Sequence, residues 1–317
     1  MASTTFRVFR YQPDSGESES YHQDFRLDHE EKTTILDALL RIQNEQDGTL
    51  AVRYSCRSAI CGSCACKVNG KTVLACMTQV EEAKAESGAD TLQVDPIGNF
   101  APIKDLVVDM TPFWEKFKAV KPFLIPDGPA PDKERLVPKA AMEKVAKESA
   151  CILCAACYSE CNSLAADPEF VGPAAFAWGY RFAADERDAQ RKNRAKLYSG
   201  DHGIWDCTRC MFCNERCPKG VDPRDAIEKL GAIAFQEKVT KDKGARHAKA
   251  FLISMRQGGK LNEQLVGGYT DPVGGVFNAP LALRMLQKGK LPKSPLTHKV
   301  KDRDQVTKLI KNVKETI

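Results

Sequence analysis

The sequence has no long hydrophobic run and few candidate catalytic side chains. No stretch approaches the roughly 18 consecutive apolar residues that a membrane-spanning helix needs. The first residues have no apolar core of the signal-peptide type, so we expect no secretion of this chain on its own. A nucleotide-binding glycine loop and a Ser/His/Asp arrangement are also missing, and the five histidines are scattered. These absences argue against a substrate-converting site built from this chain's own side chains.

Charge is distributed unevenly along the chain. Residues 241–317 contain 16 Lys and Arg but only 6 Asp and Glu, whereas the first 240 residues contain 31 basic and 36 acidic residues. A basic segment on an acidic body suggests an anionic partner such as lipid or protein; a solvated basic face without a special partner is the alternative. No recognition motif or interleaved aromatic residues accompany this charge, so we predict no nucleic-acid partner.

Cysteine is abundant, and its distribution is informative. The 317 residues include 13 cysteines, which fall into three groups. A disulfide framework is typical of small secreted chains, whereas grouped cysteines are typical of metal ligands. A chain of this length is large enough for two domains. We therefore interpret the cysteines as metal ligands distributed over two domains.

The first part of the chain has the pattern of a small β-rich domain. Residues 6–11 and 21–27 alternate apolar and polar side chains around the turn-rich segment PDSGES, which predicts a β-hairpin. The segment EEKTTILDALLRIQNEQ has apolar residues at helical spacing, with Thr33 or Thr34 near the N-terminal cap. Strand-like segments KVNGKTVLACMTQV and TLQVDPIG follow the first cysteines. These elements predict a β-grasp domain over residues 1–112.

The remainder of the chain predicts a linker, a helical domain and an extension. The proline-rich segment KPFLIPDGPAPDKERLVP indicates an irregular linker, which we assign to residues 113–138. Residues 139–240 have helical patterns interrupted at the cysteines, and one helix begins with Asp222 as N-cap and Pro223 in its first turn. The basic extension, 241–317, contains a possible helix at ALRMLQKG. The predicted fold is therefore α+β: a β-grasp domain of the plant-type ferredoxin kind, then an all-α domain of the bacterial two-cluster ferredoxin kind.

The first cysteine group has the spacing of a [2Fe–2S] site. Its spacing is C-x4-C-x2-C-x11-C, and the predicted ligands are Cys56, Cys61, Cys64 and Cys76. Such a cluster needs a tight loop whose backbone N–H groups point at the sulfurs, which Gly62 and the small Ser58, Ala59 and Ser63 would allow. A structural zinc ion is the alternative. Cys66 is left over, and we interpret it as a buried thiol.

The second and third groups both read C-x2-C-x2-C-x3-C, which is typical of cubane clusters. In two-cluster ferredoxins the fourth cysteine of each run binds the cluster of the other run. Applied to this chain, that rule predicts one [4Fe–4S] cluster on Cys151, Cys154, Cys157 and Cys217, and a distal cluster on Cys207, Cys210, Cys213 and Cys161. Asn162, rather than proline, follows Cys161. We expect this change to alter the loop without removing a ligand.

The combination of these domains resembles the iron–sulfur subunits of succinate dehydrogenase and fumarate reductase. The segments that carry the resemblance are TTILDALLRIQ, YSCRSAICGSC, KPFLIP, ACILCAAC, FVGPAAFAWGYRFAADERD and ERCPKGVDP, within residues 5–240. The resemblance implies a flavoprotein partner with covalent FAD that interconverts succinate and fumarate. It further implies that electrons pass between FAD, the [2Fe–2S] cluster, the middle cubane, the third cluster and a quinone at a membrane anchor.

Cys210 departs from the pattern of that family. Most members have C-x5-C-x3-C-P in the last run, and their third cluster is [3Fe–4S] because one corner lacks a thiolate. Here Cys210 supplies the additional ligand, so we predict a second [4Fe–4S] cluster; if Cys210 were a bystander, the distal cluster would be [3Fe–4S]. An added thiolate and iron lower the potential. A low-potential quinone such as menaquinone, or operation towards fumarate reduction, would suit this change.

Two further departures concern the quinone site and the anchor. The tryptophan that the family has shortly after the position of Cys161 is absent from CNSLAADP, although Ser163 is retained, and Thr208 stands where histidine is frequent. The basic extension resembles the C-terminal region of iron–sulfur proteins that dock cysteine-rich subunits of the heterodisulfide-reductase type. We therefore expect a peripheral membrane protein on the cytoplasmic face of the cell membrane, bound to a membrane anchor or to such a cysteine-rich subunit.

Two other functions are compatible with the same residues. The ferredoxin domains could relay electrons to a thiol, heterodisulfide or glycolate-type oxidoreductase, and the extension is consistent with that relay. A zinc-stapled scaffold protein would use the cysteines only to hold its structure. Neither alternative needs a succinate- or fumarate-converting partner.

Overall fold

The computed structural model describes residues 2–13, 20–272, 274, 279–290 and 300–314. The strands of these residues are β1 Ala2–Arg10, β2 Tyr21–His29, β3 Ala65–Val68, β4 Lys71–Leu74, β5 Thr91–Asp95, β6 Pro102–Lys104 and β7 Val107–Val108. The helices are α1 Ile35–Glu45, α2 Val80–Ser87, α3 Thr111–Ala119, α4 Lys139–Ser149, α5 Ala156–Ser159, α6 Asn162–Ala166, α7 Pro173–Ala183, α8 Arg191–Tyr198, α9 Phe212–Glu215, α10 Pro223–Gln236, α11 Lys243–Gly258, α12 Glu263–Thr270, α13 Ala279–Gln287 and α14 Arg303–Lys314.

A five-stranded mixed sheet forms the N-terminal domain, in the order β2-β1-β5-β3-β4. The predicted hairpin is present, with β1 antiparallel to β2 and Phe6 opposite Phe25, while its turn residues 14–19 lie outside the described residues. The central pair β1 and β5 is parallel. Phe6, Ile35 and Leu39 are fully buried between the sheet and α1. Burying each of these side chains contributes about 1.5–3 kcal/mol, and together they hold the helix against the sheet.

Helix α1 begins where the sequence predicts. Thr34 is the N-cap, and its hydroxyl accepts a hydrogen bond from the Asp37 backbone N–H at 3.1 Å. The Asp37 carboxylate in turn accepts the backbone N–H of Thr34 at 3.3 Å. This reciprocal capping box satisfies two backbone donors that would otherwise have no partner within the helix.

The predicted linker begins with a helix. Helix α3 covers Thr111–Ala119, whereas residues 120–138, all of them described, contain no helix or strand. The buried Arg194 holds the start of this irregular segment, because its guanidinium donates to the carbonyls of Lys121 at 2.8 Å and Phe123 at 2.7 Å. Asp188 pairs with the same guanidinium at 2.8 Å. The segment is therefore anchored to the helical domain rather than free at both ends.

The second domain is helical, as predicted. Residues 139–240, every one of which is described, contain helices and a 3₁₀ turn but no strand, so the α+β prediction is confirmed. Its core forms between α7 and α10. Asp222 is at the N-cap of α10, as predicted, but its φ is +53° and its side chain makes no cap hydrogen bond. Its carboxylate instead pairs with Lys147.

The extension begins with a helix that packs on the second domain. Gly244 in α11 lies against Trp205, where an added Cβ would be 2.2 Å from the Trp205 Cβ. The indole N–H of Trp205 donates to the Ser199 hydroxyl at 2.6 Å, and that hydroxyl bonds Asp242 at 2.7 Å. Farther along, α13 covers the predicted helix as far as Gln287 and exposes Leu281, Leu283 and Leu286. No helix in the described part of the chain is long and apolar enough to cross a membrane.

Candidate metal centres

The first cysteine loop directs backbone N–H groups at its sulfurs. The Cys56 sulfur lies 3.4 Å from the backbone nitrogen of Ser58 and 3.3 Å from those of Ile60 and Cys61. These three hydrogen bonds lower the pKa of the Cys56 thiol to about 6. The loop is thus built to stabilise a thiolate at this position.

The other sulfurs of the loop accept backbone hydrogen bonds as well. The Ala59 N–H donates to Cys76 Sγ at 3.3 Å, and the Cys76 N–H donates to Cys64 Sγ at 3.4 Å. Arg57 and Ala59 both adopt φ of +54°, and this left-handed backbone turns the successive N–H groups inward. Burial raises the pKa of the Cys64 thiol to about 12. Iron would supply the positive charge that a thiolate at Cys64 needs.

Cys66 is the cysteine of this domain that is not among the four predicted ligands. It lies on β3, its residue is 3% exposed, and it belongs to the core of the N-terminal domain. Burial raises the pKa of its thiol to about 12. The prediction of a buried thiol is confirmed.

One cavity of the helical domain brings together cysteines from two distant runs. Cys151, Cys154 and Cys157 line it, and Cys217 of the last run lines it with them. Burial raises the pKa of Cys154 to about 11 and that of Cys157 well above its usual value. Bound iron would stabilise these thiolates against the cost of burial. The structure therefore brings the predicted middle ligand set to one cavity.

A second cavity brings together the predicted distal set. Its lining includes Cys161 of the first run with Cys207, Cys210 and Cys213. Ser163, which also lines it, donates its hydroxyl proton to the Asp206 carbonyl at 2.8 Å and accepts the Thr208 N–H at 3.2 Å. Ser163 thus ties the start of α6 to the last cysteine run. Cys210 shares the cavity with the other three predicted ligands.

The two cysteine runs have the same backbone conformation. Leu153 and Arg209, each two residues after the first cysteine of its run, have φ of +56° and +58°. Ala155 and Met211, two residues later, have φ of +61° and +72°. Each run then enters a short helix at the next residue, in α5 and α9. Cys210 therefore occupies the position in its run that Cys154 occupies in the other.

The first loop and the middle cavity are in direct contact. Gly62 has φ of +75°, and an added Cβ would lie 2.6 Å from the Cβ of Cys154. Nearby, the Thr72 hydroxyl bonds the Ser159 hydroxyl at 2.6 Å, and the Asn99 amide donates to the Cys161 carbonyl at 3.1 Å. These contacts place the first cysteine loop and its domain against the run that contains Cys154.

Two buried nitrogens near the cavities have unsatisfied hydrogens, and sequence reasoning missed both. The Trp178 Nε1 and the Arg224 Nε are buried and have no hydrogen-bond partner among the described residues. Arg224 lines the distal cavity. The Trp178 indole lies beside the Cys151 thiol, whose pKa is raised by burial. Donors of this kind, together with sets of four thiols, fit iron–sulfur clusters.

Family models match both halves of the chain. A model described as a 2Fe-2S iron-sulfur cluster binding domain matches residues 5–115. A model described as a 4Fe-4S dicluster domain matches residues 148–221. The first range contains the N-terminal cysteine loop, and the second contains most of the helical domain with both cysteine runs.

Curated relatives carry names that agree with these matches. The fumarate reductase iron-sulfur subunit of Haemophilus influenzae is 38% identical over 232 residues, which cover 69% of this chain and 88% of the relative. The succinate dehydrogenase iron-sulfur subunit of Coxiella burnetii is 37% identical over 236 residues, covering 74% and 97%. The 8-methylmenaquinol:fumarate reductase iron-sulfur subunit of Wolinella succinogenes is 34% identical over 301 residues, covering 92% and 93%. This last match extends into the basic extension.

A solved structure has the same fold. A chain of the Mycobacterium smegmatis Sdh1 complex in the apo form superposes with a TM-score of 0.65 at 24% identity. The superposition covers 74% of this chain and 97% of that chain. The arrangement of a sheet domain followed by a helical domain is therefore one that a solved structure also adopts.

Proposed function

Since this chain belongs to the family of succinate dehydrogenase and fumarate reductase iron–sulfur subunits, we propose that it carries electrons through one [2Fe–2S] and two [4Fe–4S] clusters. The predicted role as an electron-transfer subunit of this oxidoreductase is confirmed by its curated relatives. Binding of both cluster types follows from the matched domains. The alternatives of a zinc-stapled scaffold and of a relay for another oxidoreductase are therefore set aside.

The ligand sets of the proposal follow the three cysteine sites. Cys56, Cys61, Cys64 and Cys76 would hold the [2Fe–2S] cluster. The first cavity would hold the middle [4Fe–4S] cluster, on Cys151, Cys154, Cys157 and Cys217. The second would hold the distal [4Fe–4S] cluster, on Cys207, Cys210, Cys213 and Cys161. The lining of each cavity by four cysteines supports these assignments.

The single observation that carries the distal [4Fe–4S] proposal is the placement of Cys210. It lines the distal cavity with three further cysteines, and its run repeats the backbone conformation of the run that contains Cys154. A fourth thiolate at this corner would hold a fourth iron. The additional ligand charge would lower the potential of the cluster relative to a [3Fe–4S] centre.

The residues around the clusters would orient them and exclude water. Each cluster, when bound, supplies a one-electron carrier. The backbone N–H groups of Ser58, Ile60 and Cys61 would stabilise the sulfur of Cys56. The contact of Gly62 with Cys154 would keep the [2Fe–2S] and middle clusters close enough for electron transfer. The cluster in the distal cavity would be the next carrier along the path of electron transfer.

Exposed apolar side chains at the two ends of this path support the proposed partners. Family membership implies a flavoprotein and a membrane anchor. Tyr54, Ile60 and Met77 are exposed around the [2Fe–2S] loop, where we infer that the covalent-FAD flavoprotein docks. Met211 and Phe212 are exposed beside the distal cavity, where we infer that the anchor or a cysteine-rich, heterodisulfide-reductase-like subunit docks.

The quinone and the location are further parts of the proposal. The relative that also matches the extension is named for 8-methylmenaquinol. This name, together with the fourth distal thiol, supports a low-potential quinone of the menaquinone type, reached through the anchor. Family membership makes the chain a peripheral subunit of a membrane-associated complex. We place it on the cytoplasmic face of the cell membrane.

Replacing Cys210 tests the proposal. In Cys210→Ala, the distal centre should become [3Fe–4S], with an EPR signal in the oxidised state and one iron fewer per chain. The middle and [2Fe–2S] signals should stay unchanged. Cys66→Ala is the matched control, because it removes a buried cysteine outside all three sets and should leave every cluster intact. An unchanged distal signal in Cys210→Ala would refute ligation by Cys210.

A further inference from the structure

Arg224 lines the distal cavity, and one of its hydrogen-bond donors has no partner among the described residues. It is the second residue of α10, and its side chain lines the cavity together with Cys207, Cys210 and Cys213. The Nε atom is buried and has no hydrogen-bond partner among the described residues. A buried N–H without an acceptor costs free energy, so such a group points to an acceptor at this place.

The rest of Arg224 is held firmly. Its backbone N–H donates to the Asn214 side-chain oxygen at 2.9 Å. Its Nη1 atom pairs with Asp225 at 3.2 Å and with Glu228 at 2.5 Å. These contacts fix the far end of the planar guanidinium, which therefore cannot turn freely to satisfy Nε elsewhere. The Asp225 and Glu228 carboxylates also balance much of the positive charge of Arg224. The effect of Arg224 on a bound cluster would therefore come mainly from the hydrogen bond of its Nε–H and less from its charge.

We propose that the Nε–H of Arg224 donates a hydrogen bond to a sulfur of the distal cluster and raises the reduction potential of that cluster. This inference rests on the proposed function, because it requires a cluster in the distal cavity. Reduction adds negative charge to the cluster sulfurs, and a fixed donor stabilises the reduced form more than the oxidised form. The same donor would act on a [3Fe–4S] or a [4Fe–4S] centre.

The electrostatics of the cavity agree with this role. A hydrogen-bond donor on Arg224, which lines the distal cavity, would stabilise negative charge added there on reduction. The fourth thiolate of Cys210 acts in the opposite direction, because it adds negative charge to the cluster. Arg224 would thus offset part of the potential drop caused by Cys210. The distal cluster would stay within reach of electrons from the middle cluster.

Two variants separate the hydrogen bond from the charge. Arg224→Lys keeps the charge but removes the planar Nε–H, and Arg224→Met removes both. EPR-monitored redox titration of the assembled complex would give the potential of each cluster. We expect both variants to lower the distal potential by about 59 mV, which corresponds to a tenfold change for a one-electron couple. The middle and [2Fe–2S] potentials are internal references and should not change.

Arg209→Met is the matched control, since Arg209 is exposed and does not line the cavity. Solvent screens its charge, so its loss should shift the distal potential less than Arg224→Lys does. An unchanged distal potential in both Arg224 variants would overturn the inference. An absent distal cluster in the unaltered complex would instead refute the proposed function.

A second measurement covers the case in which the Arg224 variants lose the distal cluster. Unaltered complex containing arginine labelled with ¹⁵N only in the guanidinium group would be reduced and studied by pulsed EPR. We expect a nitrogen coupling at the distal cluster and none at the middle cluster. No arginine coupling at the distal cluster would contradict the hydrogen bond without any substitution.

Discussion

Gly62 and Cys154 touch, although 91 residues separate them in the chain: a Cβ added to Gly62 would lie 2.6 Å from the Cβ and 2.7 Å from the Cα of Cys154. Only a residue without a side chain can bring the [2Fe–2S] loop this close to the middle cysteine run. The φ of +75° also favours glycine. This contact joins the two ferredoxin domains at the point where electrons would pass between them.

Replacing Gly62 should therefore damage the junction. In Gly62→Ala, the overlap with Cys154 should displace the middle cysteine run and reduce the content of the middle cluster. The measurement is the iron content of the purified complex together with the EPR spectrum of the dithionite-reduced sample. We expect the middle signal to lose more intensity than the [2Fe–2S] signal.

Gly70→Ala is the control for this change. Gly70 has a similar φ of +79°, but nothing lies within 4 Å of an added Cβ. Gly70→Ala should lower the free energy of unfolding by about 1–2 kcal/mol through backbone strain and leave the clusters intact. Equal cluster loss in the two variants would show that backbone strain, and not contact with Cys154, makes glycine necessary at position 62.

Trp178 should tune the middle cluster. Its Nε1 is buried without a hydrogen-bond partner among the described residues, and the indole lies beside the Cys151 thiol. Trp178→Phe removes that N–H and keeps an aromatic ring. A lost hydrogen bond of about 1 kcal/mol lowers the potential by about 40 mV for one electron. Redox titration should show this drop for the middle cluster only.

Trp114→Phe is the matched control, because that indole is partly exposed and Trp114 lines neither of the two cysteine cavities. It should leave all three potentials unchanged. A middle-cluster potential that is the same in Trp178→Phe and the unaltered complex would exclude the tuning role of Trp178.

The exposed leucines of α13 should contribute to docking on the membrane complex. Leu281, Leu283 and Leu286 are 56%, 57% and 44% exposed, on a helix that has no buried residue. Replacing all three with serine should release the chain from the membrane fraction while the clusters remain intact. The measurement is the distribution of the chain between membrane and soluble fractions after cell lysis.

Leu136→Ser is the control for the leucine variant, since Leu136 is 84% exposed in the irregular segment far along the chain from α13. It should leave the distribution unchanged. Removal of the whole extension after residue 240 is a poorer test, because it would also expose Trp205, against which Gly244 packs. If the triple variant remained in the membrane fraction as the unaltered chain does, the proposed docking role of α13 would be refuted.

The sequence predicted those features that depend on local pattern. The apolar spacing and Thr34 predicted α1, and the cysteine pattern predicted which cysteines share each of the two cavities. Asp222 shows the limit, because its residue type indicates a cap but its left-handed backbone directs the carboxylate to Lys147. Local pattern also gave no sign of α3 inside the predicted linker.

The features that sequence reasoning missed depend on contacts between distant segments. Glycine at position 62 fits any tight loop, and only the packed structure shows that Cys154 requires it. Arg224 and Trp178 look like an ordinary surface charge and a core aromatic on their helices. Their unused N–H groups become visible only once the folded chain encloses them. An arginine or tryptophan on a helix that packs beside a cysteine run is the signal that could have drawn attention to them.

Ligation of the distal cluster by Cys210 can be tested on the cluster content of the complex, purified without oxygen and measured by EPR and Mössbauer spectroscopy before and after dithionite. An oxidised [3Fe–4S] centre is paramagnetic, whereas an oxidised [4Fe–4S] centre gives no EPR signal. If Cys210 is a ligand, the oxidised sample should be EPR-silent, and reduction should reveal one [2Fe–2S] and two [4Fe–4S] clusters. A [3Fe–4S] signal at full occupancy in the oxidised sample would contradict this assignment, because Cys210 would then not be a ligand.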